Sequence, residues 1–326
     1  MSLPIHQRHT PEFHGVFERT ARETIATMNE LGRDVANQRA TQPLALQKMG
    51  VIRTSVPVGI SDPFGGSAPV QLACTVDLSV GVPQDRRGIH VSRIGDVLAR
   101  LTTRAYSSLV DYATHLAQEL ETTQHAPEAH VRVEGDLVYL EENQGVKTKQ
   151  SLEALGLFAS VDRVGGTSTL SQGLAFSHIT ACPCVQETYR QSHSEASAGF
   201  LRDVDGRQMP FMTHSQRCRT RLSLIGIKAP LDTLALLNRI DKIVVRTRNT
   251  MPRELELMTV YQAHARPQFL EDVLRDLTFA LSGDLASESP QSRIHIHSVS
   301  MESIHDFDLH GEIDFTLDEL RRALHR

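Results

Sequence analysis

The sequence has no tryptophan, and aromatic residues fill only 5% of its 326 positions, so few rings are present on which single-stranded bases could stack. No apolar run approaches the roughly 20 residues that a membrane-spanning helix needs. Basic charge is not in excess either. The 34 Lys and Arg face 39 Asp and Glu, for a formal net charge of −5, which argues against the basic face of a general nucleic-acid binder. The opening MSLPIHQRHTPEFHG lacks the apolar core of a secretory signal. Four cysteines are too few to staple a chain of this length. These absences lead to the expectation of a cytoplasmic globular protein with reduced thiols and no membrane or nucleic-acid partner. No Walker A sequence, dinucleotide glycine fingerprint or kinase signature occurs.

What is present is a 40% hydrophobic share, enough to fill real cores in one large domain or two ordinary ones. Residues 1–45 read as a separate extension, with helical spacing from Glu12 to Asn37 carried by Phe17, Ile25, Met28, Leu31 and Val35. The Pro- and Gly-punctuated ISDPFGGSAP reads as a loop. After it, Val70, Leu72, Cys74, Val76, Leu78, Val80 and Val82 fall on every second position, the mark of a strand with one buried face. Cys74 belongs to that stripe and is expected to be a packed core thiol. A long amphipathic helix is expected from Ile94 to Thr122, then two short strands, His130–Val133 and Leu137–Leu140, split by a Gly135-Asp136 turn. Strand-like stretches surround GLAFSHITACPC and RLSLIGIKA, with a polar insertion at about 190–212 between them. A helix over Pro267–Ser282, strands at Ile294–Met301 and Gly311–Phe315, and a closing helix Leu317–His325 complete the pattern. The expected fold class is α+β, with similar units at 46–175 and 176–326.

Three segments carry chemistry. In Thr180-Ala181-Cys182-Pro183-Cys184 a proline stiffens the backbone between two thiols, which would share one side if the segment were extended. The spacing is not that of a zinc knuckle and no second pair exists, so a four-cysteine structural zinc site is excluded. In Thr213-His214-Ser215-Gln216-Arg217-Cys218, His214 offers an imidazole to a metal held by one of the thiolates. Cys, His and a further ligand with one open position is the pattern of catalytic zinc, which points to hydrolysis. The third segment, Asp85 to Arg93, collects Arg86, Arg87, Gly88, His90, Ser92 and Arg93 at the start of the long helix, a plausible phosphate site. Each feature also has a plainer reading: buried thiols, a structural histidine, a solvated basic loop.

Taken in order, RRGIHVSR, ITACPC, THSQR, PQFLEDVLRD and SIHDFD resemble the type IB GTP cyclohydrolase family over roughly residues 50–318. The resemblance implies a tunnelling fold, with antiparallel sheets and paired helices in two tandem units per chain. It also implies a homotetramer with sites at subunit interfaces. The implied reaction converts GTP and water to 7,8-dihydroneopterin triphosphate and formate with a divalent ion, zinc or manganese (iron in a related type). Position by position, Cys182 and His214 match the family's metal ligands, and Glu256 and His305 are further metal candidates. Glu271 in FLED matches the carboxylate that anchors guanine through N1–H and the exocyclic amine. Cys184 would lie near C8 of the purine, and His90 is a candidate for proton transfer. His90, Ser92 and Arg93, from a neighbouring subunit, would meet the triphosphate or ribose. Gln216 and Arg217 of THSQR are substrate-binding candidates. Three departures stand out. The 32-residue interval from Cys182 to His214 contains a polar insertion longer than is expected of compact members. Cys218 offers an alternative thiolate, and Phe307 stands where a second histidine often follows SIH. Two alternatives remain open: an archaeal-type relative that uses iron and releases a cyclic phosphate, and a non-catalytic pterin-binding protein.

Overall fold

The computed structural model describes residues 34–142, 150–192 and 213–324. The helix expected over Glu12–Asn37 and the insertion at 190–212 fall largely outside these residues; within them, Val35–Asn37 is a single 3-10 turn. Among the described residues ten strands follow in chain order: β1 (Leu46–Ile60), β2 (Val70–Val82), β3 (Ala105–Tyr106), β4 (Glu128–Glu142), β5 (Gln150–Val164), β6 (Thr167–Ala181), β7 (Ser215–Ile227), β8 (Val245–Arg246), β9 (Arg293–Met301) and β10 (Leu309–Thr316). Seven α-helices lie among the described residues: α1 (Val91–Leu101), α2 (Leu109–Gln124), α3 (Pro183–Ser192), α4 (Thr233–Ile240), α5 (Arg253–Ala265), α6 (Leu270–Asp284) and α7 (Leu317–Leu324).

The strands form one continuous sheet in the order β10-β9-β7-β6-β5-β4-β2-β1-β3, with β8 on the free length of β6. The expectation of tandem tunnelling-fold units, each with its own antiparallel sheet and helix pair, is corrected here. The reason is the hairpin of β5 and β6, which pair from Gly156↔Ala175 to Val164↔Thr167 and carry the sheet without a break from the first half into the second. Its turn is Gly165-Gly166, both at positive φ (56° and 81°), the backbone that a tight hairpin demands and that glycine adopts without strain. The sheet is mixed as well, because β3 runs parallel to β1. The boundary at 175/176 falls inside β6.

Other local expectations also changed. The single helix over 94–122 is two helices, broken by β3, because polar Ser107 and Ser108 cap a new start: the Ser108 hydroxyl accepts from the Asp111 N–H at 3.1 Å. The two short strands are one, since Gly135 continues β4 rather than turning it. A Cβ there would meet the Cys74 sulfur at 2.8 Å, so this glycine permits close strand approach. Strand β2 has the expected face, and Cys74 is buried, its thiol pushed up to about 12 by desolvation. Helix α2 packs on β4 and β5, and α6 on β9 and β10, so the core lies between these helices and one face of the sheet.

One buried polar line crosses the second half. His178 on β6 is fully buried; its Nε2 lies 2.9 Å from the Thr220 hydroxyl, which contacts the Ser298 hydroxyl at 2.7 Å. Its Nδ1 is buried with no hydrogen-bond partner among the described residues, and burial lowers its pKa to about 4. In the unfolded chain an imidazole titrates near 6.5. The folded state therefore binds fewer protons, and the stability that His178 contributes is complete above about pH 6.5 and lost progressively as pH falls towards 4, on the order of 3 kcal/mol. Urea unfolding midpoints should fall over that window, and His178→Gln should flatten the fall. Equal slopes in variant and wild type would show that other groups control acid sensitivity.

Candidate active site

Strands β6 and β7 pair in register down to Ala181↔Ser215, which places their ends, Cys182 and His214, beside each other. The junction is then laced by backbone bonds: the Cys182 N–H donates to the His214 carbonyl at 3.0 Å, and the Thr213 hydroxyl to the Cys182 carbonyl at 2.7 Å. The end of α5 closes one side, where Gln186 of α3 donates to the His264 carbonyl at 2.7 Å. The Gln268 N–H donates to the Ala181 carbonyl at 3.1 Å, which anchors the start of α6 at the same place.

Here a cavity of about 290 Å³ opens. Cys182, His214, Gln216, Gln268 and Glu271 line one part of it, and Ser300, Glu302, His305 and Phe307 another. Cys182 and His214 are half-buried, and the His214 Nδ1 is 3.1 Å from the Ser303 hydroxyl. Glu271 sits in the first turn of α6, where the helix dipole favours a carboxylate. Its neighbour Asp272 accepts from the Phe269 N–H at 3.1 Å and so tidies the helix start, which leaves Glu271 free of that duty. Gln216 has a buried carbonyl oxygen with no partner among the described residues, an acceptor that a ligand N–H would satisfy. A larger cavity of about 610 Å³ lies at the start of α2, but no cysteine or histidine lines it.

Of the residues expected from sequence, the cavity gathers Cys182, His214, Gln216, Glu271 and His305. It does not gather the others within one chain. Pro183 starts a helix instead of continuing a strand, so Cys184 is exposed on α3 and does not line the cavity. Arg217 points to the alternate face of β7 and is exposed, as is Glu256 in the first turn of α5. Cys218 is buried beside the Thr180 hydroxyl at 3.5 Å, its thiol pushed up by desolvation. Among the three cysteines of this region, Cys182 is therefore the one that faces the cavity. Ser92 and Arg93 are on α1 and do not line the cavity. His90 is only 7% exposed at the start of α1, and its pKa is lowered, by burial first and by Arg93 next, with Asp34 opposing. Sequence reasoning missed Glu302. It lies two residues before the quoted Ile304-His305 pair, and a carboxylate that close to a motif histidine was the available signal.

The wall offers a thiol, two imidazoles and two carboxylates, a donor set that fits a borderline divalent cation. Among the described residues, however, no three His, Cys, Asp or Glu side chains stand close enough to hold an ion together. The donors share a wall without converging on one point.

Residues 33–311 match the family model described as type I GTP cyclohydrolase folE2. The chain belongs to that GTP cyclohydrolase family. GTP cyclohydrolase MptA 2 of Methanocella arvoryzae is 26% identical over 309 residues, covering 89% of this chain and 98% of that one. GTP cyclohydrolase MptA of Thermoplasma volcanium is 25% identical over 301 residues, with 89% and 99% covered. Among solved structures, uricase from Arthrobacter globiformis is similar over 83% of this chain and 92% of that one, at 8% identity and a TM-score of 0.46. The family match begins well before residue 50, where the resemblance read from motifs starts. No helix among the described residues is long and apolar enough to cross a membrane.

Proposed function

We propose that this GTP cyclohydrolase converts GTP and water to 7,8-dihydroneopterin triphosphate and formate, the entry to folate-type pterins, with a divalent ion, zinc or manganese. The observation that carries the reading is the lacing of Cys182 to His214 at the mouth of a cavity whose wall also holds Glu271. Cys182 and His214 would hold the ion, with His305 and Glu302 as the further donors on the same wall. The chemistry such an ion supplies is the lowering of a water's pKa towards neutrality and the polarisation of the purine ring. Glu271 would accept from N1–H and the exocyclic amine of guanine, and these two parallel bonds set the base and turn C8 towards the thiol side. Gln216 would offer its unpartnered oxygen to a further N–H of the base. Phe269 and Phe307, on the rim, would flank the planar base and exclude water. Hydration at C8 opens the imidazole ring to a formamide, a second water releases C8 as formate, and the rearranged ribose carbons then close on the freed amine with loss of water.

The triphosphate would lie against Ser92 and Arg93 of a neighbouring subunit, since a single chain does not bring them to the cavity. A homo-oligomer, a tetramer in this reading, is supported by the exposure of Leu257, Met258 and Val260 along α5.

The test is to supply the chain with zinc or manganese, add GTP, and measure formate together with the fluorescence of oxidised neopterin. Equal amounts of the two are expected. Formate with a cyclic phosphate instead would favour an archaeal-type enzyme that uses iron, a second reading favoured by the similarity to the MptA proteins. Neither product with any of these ions would leave a pterin-binding protein on this sheet.

A further inference from the structure

Upstream of β1, the chain crosses the loop that leads into α1. The Arg87 N–H donates to the Gln38 carbonyl at 2.8 Å and the Gly88 N–H to the Ala36 carbonyl at 3.2 Å, so the 3-10 turn at Val35–Asn37 is tied to the loop. Within this contact the Asp34 carboxylate gathers three donors. One oxygen is 3.0 Å from His90 Nδ1; the other accepts from Arg93 Nη2 at 2.9 Å and from Asn37 Nδ2 at 3.3 Å. The Asn37 side-chain oxygen faces the other His90 nitrogen at 3.1 Å. The Gln124 amide closes on the His90 backbone from the far side, with bonds of 2.9 and 3.0 Å.

Two consequences follow. Both nitrogens of the buried His90 ring are engaged inside the chain, so this histidine is a strut and not a group that meets substrate. Arg93, whose side chain is 41% exposed, is the member of the cluster that can reach a ligand, and Asp34 and the Thr123 carbonyl (3.4 Å) pin two of its arms. It stands in the first turn of α1, which has no acidic residue and no side-chain cap, so the helix end leaves its N–H groups for an anion.

We propose that Asp34 is a positioning residue for polyphosphate binding, acting through Arg93 and the His90 strut. Half-exposed ion pairs of this kind contribute little to stability, so the contact is better explained by orientation than by folding. A guanidinium already held by two acceptors loses less freedom when an anion arrives. The family match starts at residue 33, one position before Asp34, which places the contact inside the shared region. The inference rests on the cyclohydrolase reading only for the identity of the polyphosphate as that of GTP.

The test uses the full chain with Asp34→Asn and Asp34→Glu. For Asp34→Asn we expect the KM for GTP to rise about tenfold with kcat within about twofold, binding of inorganic tripolyphosphate to weaken by a similar factor, and the melting temperature to stay put. Asp34→Glu keeps the charge and should recover most of the loss. An unchanged KM and tripolyphosphate affinity would overturn the proposal. A lower KM would overturn it too, by showing that the carboxylate competes with phosphate. Should Asp34→Asn fail to fold, Asn37→Ala, which frees one side of the His90 ring, should still raise KM by about threefold, and no change there would count against the strut. Wild-type protein that binds tripolyphosphate but never turns over GTP would sink the cyclohydrolase reading alone, and the same pair of titrations would still decide the role of Asp34.

Discussion

Replacing Cys182 by alanine is expected to lower GTP turnover by about a thousandfold, roughly 4 kcal/mol of transition-state stabilisation, and to abolish the proposed binding of zinc or manganese. The thiol is the softest donor on the cavity wall, and its strand end is laced directly to that of His214. Only the side chain is lost, so the backbone bonds that join β6 and β7 stay, and circular dichroism should be unchanged. The informative control is Cys218→Ala. That thiol is buried and does not face the cavity, so its loss should cost stability, about 1 kcal/mol or slightly more, while metal content and turnover persist. Metal analysis of the two variants side by side decides between them. A fully active, metal-loaded Cys182→Ala would remove the thiol from the site, and metal loss in Cys218→Ala would move the site inwards.

Replacing Glu271 by glutamine should raise the KM for GTP about a hundredfold, close to 2.7 kcal/mol, with kcat changed far less. In the proposed pose the carboxylate would offer two acceptors to two donors of guanine, and each such charge-assisted bond is worth about 1.5–3 kcal/mol. Glutamine keeps the shape but turns one acceptor into a donor, which then faces a donor on the base. Discrimination should change in parallel. Wild type should strongly prefer GTP to inosine triphosphate, which lacks the exocyclic amine, and the variant should lose most of that preference. An unchanged preference would mean that guanine is read elsewhere on the wall, with the partnerless Gln216 oxygen as the next candidate.

Much of the secondary structure was legible because it is written in period. The β2 stripe from Val70 to Val82 and the helix Leu317–Leu324 could be read directly. Strand β5 was not, because two of its inward positions are the polar Ser151 and Glu153. The Ser151 hydroxyl donates to the Glu153 carboxylate, and the rest comes from a distant loop, where the Thr250 N–H donates to Ser151 at 3.0 Å and the Asn249 N–H to Glu153 at 3.0 Å. Gly135 misled for a related reason, since its role is set by a neighbouring strand and not by its own segment. In the site, Cys182, His214, Glu271 and His305 were read from motifs. Glu302 and the unpartnered Gln216 oxygen became visible only once β7 and the start of α6 met across one cavity.

Sequence by itself determined the type of each chemical group and the order in which the groups occur. A thiol after an alternating strand, an imidazole before the next, and a carboxylate at a helix start are local facts, dictated by side-chain identity and by periods of two and 3.6 residues. Tertiary structure alone decided which of these groups meet. Hydrogen-bond register set Ala181 opposite Ser215, and with it Cys182 beside His214. The β5–β6 hairpin joined two expected units into one sheet. A helix that begins at Pro183 removed Cys184 from the cavity, and packing gave the buried His90 to Asp34 and Asn37. Such pairings depend on long-range hydrogen bonds and burial, which link residues far apart in the chain and leave no trace in the spacing of either one.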